Sequence, residues 1–185
     1  MDGFNEDKAA ARLAEIVALE CGVHPVIAGQ IRAAAILHDV GKQKIPDSIL
    51  NKPGKLTGQE FEVVKTHTKL GAEMLSSIQG GLGEMARQIA LWHHEWWSGD
   101  GYWHKLTDEL PAYVSIVAIA DVFTALVCER VYKTAWPPSE ALDYINSQAG
   151  TQFSPALVGV FIPLARSDSR VQALFGGGDD FAGGN

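Results

Sequence analysis

Cysteine is scarce in this 185-residue chain: Cys21 and Cys128 stand alone, with no Cys-x-x-Cys spacing. That excludes a disulfide framework and a zinc ribbon, and it fits a reducing compartment. Long apolar runs are missing too. None approaches the ~20 residues that span a bilayer, and the polar, acidic residues 1–6 are unlike a signal peptide. A cytoplasmic protein without a membrane segment is the expectation. Positive charge is also short. Fifteen Lys and Arg against 22 Asp and Glu leave a net charge of −7, so a long nucleic acid meets little general attraction. A small phosphate ester stays admissible, because a few local cations or bound metals outweigh the global sign. No internal repeat and no second domain are visible. What is present, 46% hydrophobic and 20% charged residues, is ordinary for one globular domain long enough to bury a core.

Helical periodicity dominates. Residues 7–19 are Ala-rich with apolar positions at helical spacing, and Gly22 is a natural stop. Pro25 suits the first turn of a second helix over 26–40, closed by Gly41. Residues 45–56 hold Pro46, Pro53 and Gly54 and read as a loop with one short turn at most. Thr57 and Glu60 have capping-box spacing for a helix to about residue 65. Helices over 68–77 and 84–94 flank a break at Gly80, Gly81 and Gly83, and 96–105 is a loop of Trp, Gly and Asp. The apolar stretch 112–129 admits a strand in places, but its length favours a buried helix. Shorter helices are expected over 139–146 and 154–165. The reading is an all-α bundle of about seven to nine helices over residues 1–170, followed by a Gly-rich, disordered tail over 171–185.

Against this background one set of side chains stands out. His38-Asp39 is an adjacent pair at the end of an apolar run, His67 is a lone histidine, His93-His94 is a second doublet, and Asp121 sits in the later apolar stretch. Adjacent helical residues point about 100° apart, so each pair can serve one site only from a helix end, where both are expected. Any one of these histidines alone is more simply a hydrogen-bonded core or surface residue. Four histidines and two aspartates at element ends suit a two-metal hydrolytic centre.

The stretches LHDVGKQKIPDSILNKPGKLT, KTHTKLGAEML, HHEWWSGDGYW and IVAIADVFTAL, with Arg130, Tyr132 and Lys133 following, resemble the HD-GYP phosphodiesterases from about Ala34 to Phe161. The resemblance implies an all-helical HD-domain bundle with a metal site in its core cleft. It implies hydrolysis of the bacterial second messenger cyclic di-GMP, to linear pGpG or GMP, with two or three divalent transition metals, iron or manganese. The implied metal ligands are His38, Asp39, His67, His93, His94 and Asp121, with Asp39 as the bridging carboxylate. Two cations ~3.5–4 Å apart would lower the pKa of a shared water enough to supply hydroxide for in-line attack. Lys42, four residues after His38, would contact the scissile phosphate, while Tyr102, Arg130 and Lys133 would hold substrate phosphates and bases. Trp96, Trp97 and Trp103 load the same loop, and Trp96 reads more simply as a cover for the core. Gly99 and Gly101 read as turn formers, not phosphate cradles. An upstream sensor domain, a diguanylate cyclase partner and a homodimer are partners of the kind the resemblance allows, and the abrupt start fits an output domain of a longer protein.

The chain also departs from the pattern. Gly101-Tyr102-Trp103 replaces Gly-Tyr-Pro, removing a fixed φ and adding a bulky ring. Ser98, Thr124 and Ser154 stand where acidic residues are common. Members usually carry a histidine ligand in the first helix, and counting back about nine turns from His38 reaches Glu6, with Asp2 a turn earlier. A carboxylate there can still ligate iron or manganese; an ordinary first-turn acid is the plainer reading. These departures keep two alternatives open: a degenerate module that senses a cyclic dinucleotide or binds a protein, and a phosphohydrolase of the wider HD superfamily acting on another nucleotide. The intact ligand set argues against the first, and the Arg130, Tyr132 and Lys133 pattern against the second.

Overall fold

Two helices far apart in sequence form the middle of the molecule. α1 (Gly3–Glu20) is rich in alanine, and its Ala11, Leu13, Ala14, Val17 and Ala18 are fully enclosed. The small side chains let it lie close against both α2 (Pro25–Ala35) and α7 (Ala112–Val127). α7 carries no charge except Asp121 and buries Val114, Ile116, Val117, Ile119, Ala120 and Phe123, so almost its whole circumference is core. The computed structural model describes residues 3–105, 109–129 and 134–176, with side chains from residue 6 onward. Among the described residues the remaining α-helices are α3 (Asp47–Leu50), α4 (Gly58–Lys65), α5 (His67–Met74), α6 (Gly81–Trp92), α8 (Pro138–Ser147), α9 (Pro155–Ser167) and α10 (Ser169–Phe175). Two short 3₁₀ segments, Val40–Lys44 and Leu75–Ser77, complete them. No strand occurs among the described residues; a single isolated bridge joins Ala149 and Phe153. The all-α expectation holds, and nine of the ten α-helices among the described residues are longer than one turn.

Local signals set several boundaries as expected. Pro25 begins α2, and the His24 ring caps it by accepting from the Val26 amide at 3.3 Å. The Thr57–Glu60 capping box is formed, the Glu60 carboxylate accepting from the Thr57 amide at 2.7 Å and the Thr57 hydroxyl from the Glu60 amide at 3.2 Å. Residues 112–127 are helical throughout, which removes the strand alternative.

Two expectations need correction. The second helix does not run to residue 40. It ends at Ala35, because the Ala35 carbonyl accepts both the His38 amide (3.1 Å) and the His38 Nδ1–H (2.8 Å). The chain then tightens into i→i+3 turns from residue 36 onward. The tail does not begin at residue 171. Val171 is fully buried in α10, and the Phe175 ring meets Phe123 edge-to-face at 5.4 Å beside the Phe123–Phe161 pair at 5.3 Å. Buried Val171, partly buried Phe175 and the Asp168 carboxylate, which caps the helix by accepting from the Arg170 amide at 2.7 Å, together hold this seven-residue helix. Residues 177–185, like Arg130, Tyr132, Lys133 and Asp2, lie outside the described residues. No helix among the described residues is long and apolar enough to cross a membrane.

Candidate metal centre

The tight turn after α2 delivers His38 and Asp39 to the end of the bundle where α5, α6 and α7 meet it. Gly41 makes this possible. A Cβ there would lie 2.5 Å from the Gly71 nitrogen and collide with the His67 carbonyl, so only glycine lets the 3₁₀ turn rest directly on α5. That contact sets Asp39 against His67, the first residue of α5, with Asp39 Oδ1 3.2 Å from His67 Nε2. α6 ends at Trp92, and His93 and His94 follow at its close. His93 Nε2 is 3.8 Å from the same Asp39 oxygen. From α7, Asp121 Oδ1 comes within 3.4 Å of His38 Nε2, which is also 3.3 Å from Asp39 Oδ2. All six residues expected at the centre are therefore together.

Each of three imidazoles is aimed by its far nitrogen. Nδ1 of His38 donates to Ala35 O, Nδ1 of His67 to Val64 O at 2.6 Å, and Nδ1 of His93 to Ile89 O at 3.0 Å. A backbone carbonyl accepts only from N–H, which places the proton on Nδ1 and turns the Nε2 lone pair inward. His38, His67 and His93 are 1–2% exposed, and their Nε2 atoms, with Asp39 Oδ1, are buried without a hydrogen-bond partner. Converging lone pairs left unsatisfied in a buried site are costly unless a cation fills the space between them. Two overlapping donor groups fit that demand, Asp39 with His67, His93 and His94, and His38 with His93 and Asp121, each with ligand atoms within 4.8 Å of one another. These donors suit a borderline transition metal.

Electrostatics agree. Burial lowers the His93 imidazole well below its ordinary value, with His94 and His38 adding to the effect, and burial holds His94 down at about 4, so both are neutral donors. For His38 burial acts downward, but Asp39 and Asp121 outweigh it and favour a second proton, on Nε2, when no cation is bound. The same carboxylates attract a cation in that proton's place. Burial pushes Asp39 and Asp121 upward, yet His38 overrides it at both, and both carboxylates lie below the usual range. Lys42 pairs with the outer oxygen of Asp39.

A third group consists of Asp7, His38 and Asp39, again with donor atoms within 4.8 Å. The first-helix acid at the centre is Asp7, which corrects the count that reached Glu6. Glu6 is buried on the neighbouring face of α1, and one residue rotates a side chain by about 100°. Burial raises the Asp7 carboxyl, with Asp39 and Asp121 opposing its ionisation too. The count failed because residues 21–24 form a turn that breaks helical register between α1 and α2.

Beyond the doublet, the aromatic loop folds back on its own start. A Cβ at Gly101 would sit 2.5 Å from Glu95 Cα and 2.7 Å from the His94 carbonyl, so this glycine, too, serves a close approach. Glu95, 3% exposed, anchors the loop by accepting the Trp103 and Lys105 amides at 2.8 Å each. The Trp103 indole donates to the Thr68 hydroxyl at 3.0 Å, and the Lys69 ammonium lies 3.3 Å from its ring centre. Side-chain bonds here do the fixing that proline would do through φ. Tyr102 rests on His94 at 4.5 Å between ring centres and faces His67 at 6.3 Å. Burial pushes its phenol up to about 12, keeping it a neutral donor. Ser98, where an acid is common, bonds to Asp100 instead at 2.9 Å. Glu95 was missed by sequence reasoning, although its position directly after the histidine doublet was the available signal.

The HD domain family model matches residues 3–157. A cyclic di-GMP phosphodiesterase of Thermotoga maritima is 44% identical over 151 residues, covering 81% of this chain and 41% of that protein. A 3'3'-cGAMP-specific phosphodiesterase of Vibrio cholerae is 43% identical over 136 residues, covering 73% of this chain and 26% of that one. The chain thus spans less than half the length of these curated relatives. The crystal structure of a cyclic GMP-AMP-specific phosphodiesterase of V. cholerae, V-cGAP3, superimposes with a TM-score of 0.67 at 16% identity, over 91% of this chain and 45% of that one. That likeness shows the fold. Together with the HD pair, the histidine doublet and the Gly-Tyr-Trp loop, these matches show that the chain belongs to the HD domain family, within its HD-GYP group.

Proposed function

We propose that this chain is a metal-dependent phosphodiesterase domain that opens cyclic di-GMP to linear pGpG and on to GMP. The observation that carries the reading is the buried knot of His38, His67 and His93 Nε2 atoms around the Asp39 carboxylate, with these nitrogens and Asp39 Oδ1 lacking a hydrogen-bond partner. The substrate class comes from the relatives, named for cyclic di-GMP and 3'3'-cGAMP.

His38, Asp39, His67, His93, His94 and Asp121 would hold two divalent cations, iron or manganese, and Asp7 offers a further carboxylate that could admit a third. When bound, such cations supply Lewis-acid stabilisation of phosphoryl oxygens and activation of water at neutral pH. The chain's own groups do the rest. Asp39 offers one oxygen to the His67 and His93 side and the other to the Lys42 and His38 side, which suits a bridging carboxylate. With a cation held at the outer oxygen, the Lys42 ammonium would be available to the scissile phosphate. Three carboxylates, Asp7, Asp39 and Asp121, against two dications leave the centre positive, which draws a phosphodiester into a chain of negative net charge. Tyr102, neutral and fixed over His94, is placed to donate to a phosphate oxygen or pack against a base. Arg130 and Lys133 are proposed phosphate and base contacts on the family pattern alone.

The test is hydrolysis of cyclic di-GMP, 3'3'-cGAMP and cyclic di-AMP by purified protein reconstituted with Mn²⁺ or Fe²⁺, with products separated by chromatography. Metal-dependent formation of pGpG or GMP supports the reading. Metal-loaded protein that binds cyclic di-GMP without turnover would favour the sensor alternative.

A further inference from the structure

The metal cluster continues outward as a line of rings. His94 touches Tyr102, and Tyr102 meets Phe61 edge-to-face, with centres 5.8 Å apart and planes at 83°. Phe61 lies on α4, where 43% of it is exposed. The Lys65 ammonium, one turn along α4, stands 5.7 Å from the centres of both the Phe61 and Tyr102 rings and 5.8 Å from Trp103. Among the described residues it pairs with Glu62 at 2.8 Å, a largely exposed carboxylate.

We propose that Phe61, Tyr102 and Lys65 form a preformed shelf that binds one guanine base of a cyclic dinucleotide at the rim of the metal centre. This rests on the phosphodiesterase reading above. A base is joined to the reacting phosphate through one ribose, so a base site belongs a short step outward from the metals, where these rings lie. The exposed Phe61 face supplies stacking area, which any base can use. Lys65 adds selectivity, because guanine presents two acceptors, O6 and N7, on its outer edge, whereas adenine pairs one acceptor with an amino donor. The shelf is rigid before substrate arrives. The capping box fixes the start of α4, and the Lys52 ammonium braces its Glu60 at 2.6 and 2.8 Å. Glu95, Thr68 and Lys69 fix the loop that carries Tyr102. Preorganisation of this kind removes the ordering cost of binding.

Steady-state kinetics and metal analysis on Phe61→Ala, Phe61→Trp and Lys65→Met test it. Phe61→Ala should raise KM for cyclic di-GMP by about 5- to 150-fold, the range of single base-stacking contributions, with kcat and metal content retained. Phe61→Trp should restore KM. Lys65→Met should reduce the preference for cyclic di-GMP over cyclic di-AMP. A wild-type KM in Phe61→Ala overturns the shelf while leaving the phosphodiesterase reading standing, and so does a variant that fails through lost metal or kcat. Metal-loaded wild type that hydrolyses no cyclic dinucleotide overturns both.

Discussion

His67 Nε2 lies 3.2 Å from Asp39 Oδ1, and neither atom has a hydrogen-bond partner. The two residues sit on different elements, and their approach depends on the glycine that lets those elements touch. The contact fixes where the His38-Asp39 turn meets α5 and the end of α6.

Gly41→Ala should destabilise the fold by about 1–3 kcal/mol, the usual cost of an added group in a closed packing. The new Cβ would push the 3₁₀ turn off the α5 backbone and carry Asp39 with it. Thermal unfolding and metal content should fall together. A variant with wild-type stability and full metal would show that the contact does not position the centre.

Asp7→Ala should keep the fold and weaken metal binding by about tenfold or more, at least the loss seen when a supporting group of a metal site is removed. Asp7→His, which restores a donor of the family's usual type, should recover it. Titration with Mn²⁺ followed by elemental analysis gives the answer, and an unchanged affinity in Asp7→Ala would leave Asp7 a bystander.

Lys42→Ala should lower turnover by about 100-fold, typical for one group that stabilises transition-state charge, with metal content unchanged. The ammonium already sits against Asp39, within reach of the cleft. An unaltered kcat would return Lys42 to an ordinary surface role.

The metal-free protein should lose stability as pH falls from 6.5 to about 4. His94 takes a proton at about 4 in the folded chain, against an ordinary value of 6.5 once unfolded, because burial disfavours the charged ring. Between those values the unfolded chain binds the extra proton, so unfolding is favoured. His93 acts in the same direction. His38 acts elsewhere: its folded value is raised, so its contribution is complete below 6.5 and is lost only as pH climbs. Urea unfolding of chelator-treated protein should show a shallower slope over that interval in His94→Ala. Identical slopes would contradict the assignment.

Much of this was legible in the sequence because the signals are local or strongly periodic. The helices around Thr57, Pro25 and the apolar 112–127 run follow from caps and patterning that act within a turn or two. His38, Asp39, His67, His93, His94 and Asp121 are residue types that converge only for a few chemistries, so the sequence alone marks them as a candidate metal set. What escaped depended on register across breaks. Asp7 was missed by one position because the 21–24 turn resets helical phase. The early end of α2 came from a side chain, His38, competing for a backbone carbonyl. α10 was masked by the Gly-rich stretch beside it, although Phe175 packs into the core through a tertiary contact no local pattern encodes.

The most direct test is elemental analysis of wild type and Asp39→Ala, purified with Mn²⁺ or Fe²⁺, alongside cyclic di-GMP hydrolysis before and after chelation. The proposed function predicts about two transition-metal ions per wild-type chain, none or nearly none in the variant, and hydrolysis that disappears with the metal and returns when it is restored. Undiminished hydrolysis by fully metal-stripped protein would contradict a metal centre built on Asp39.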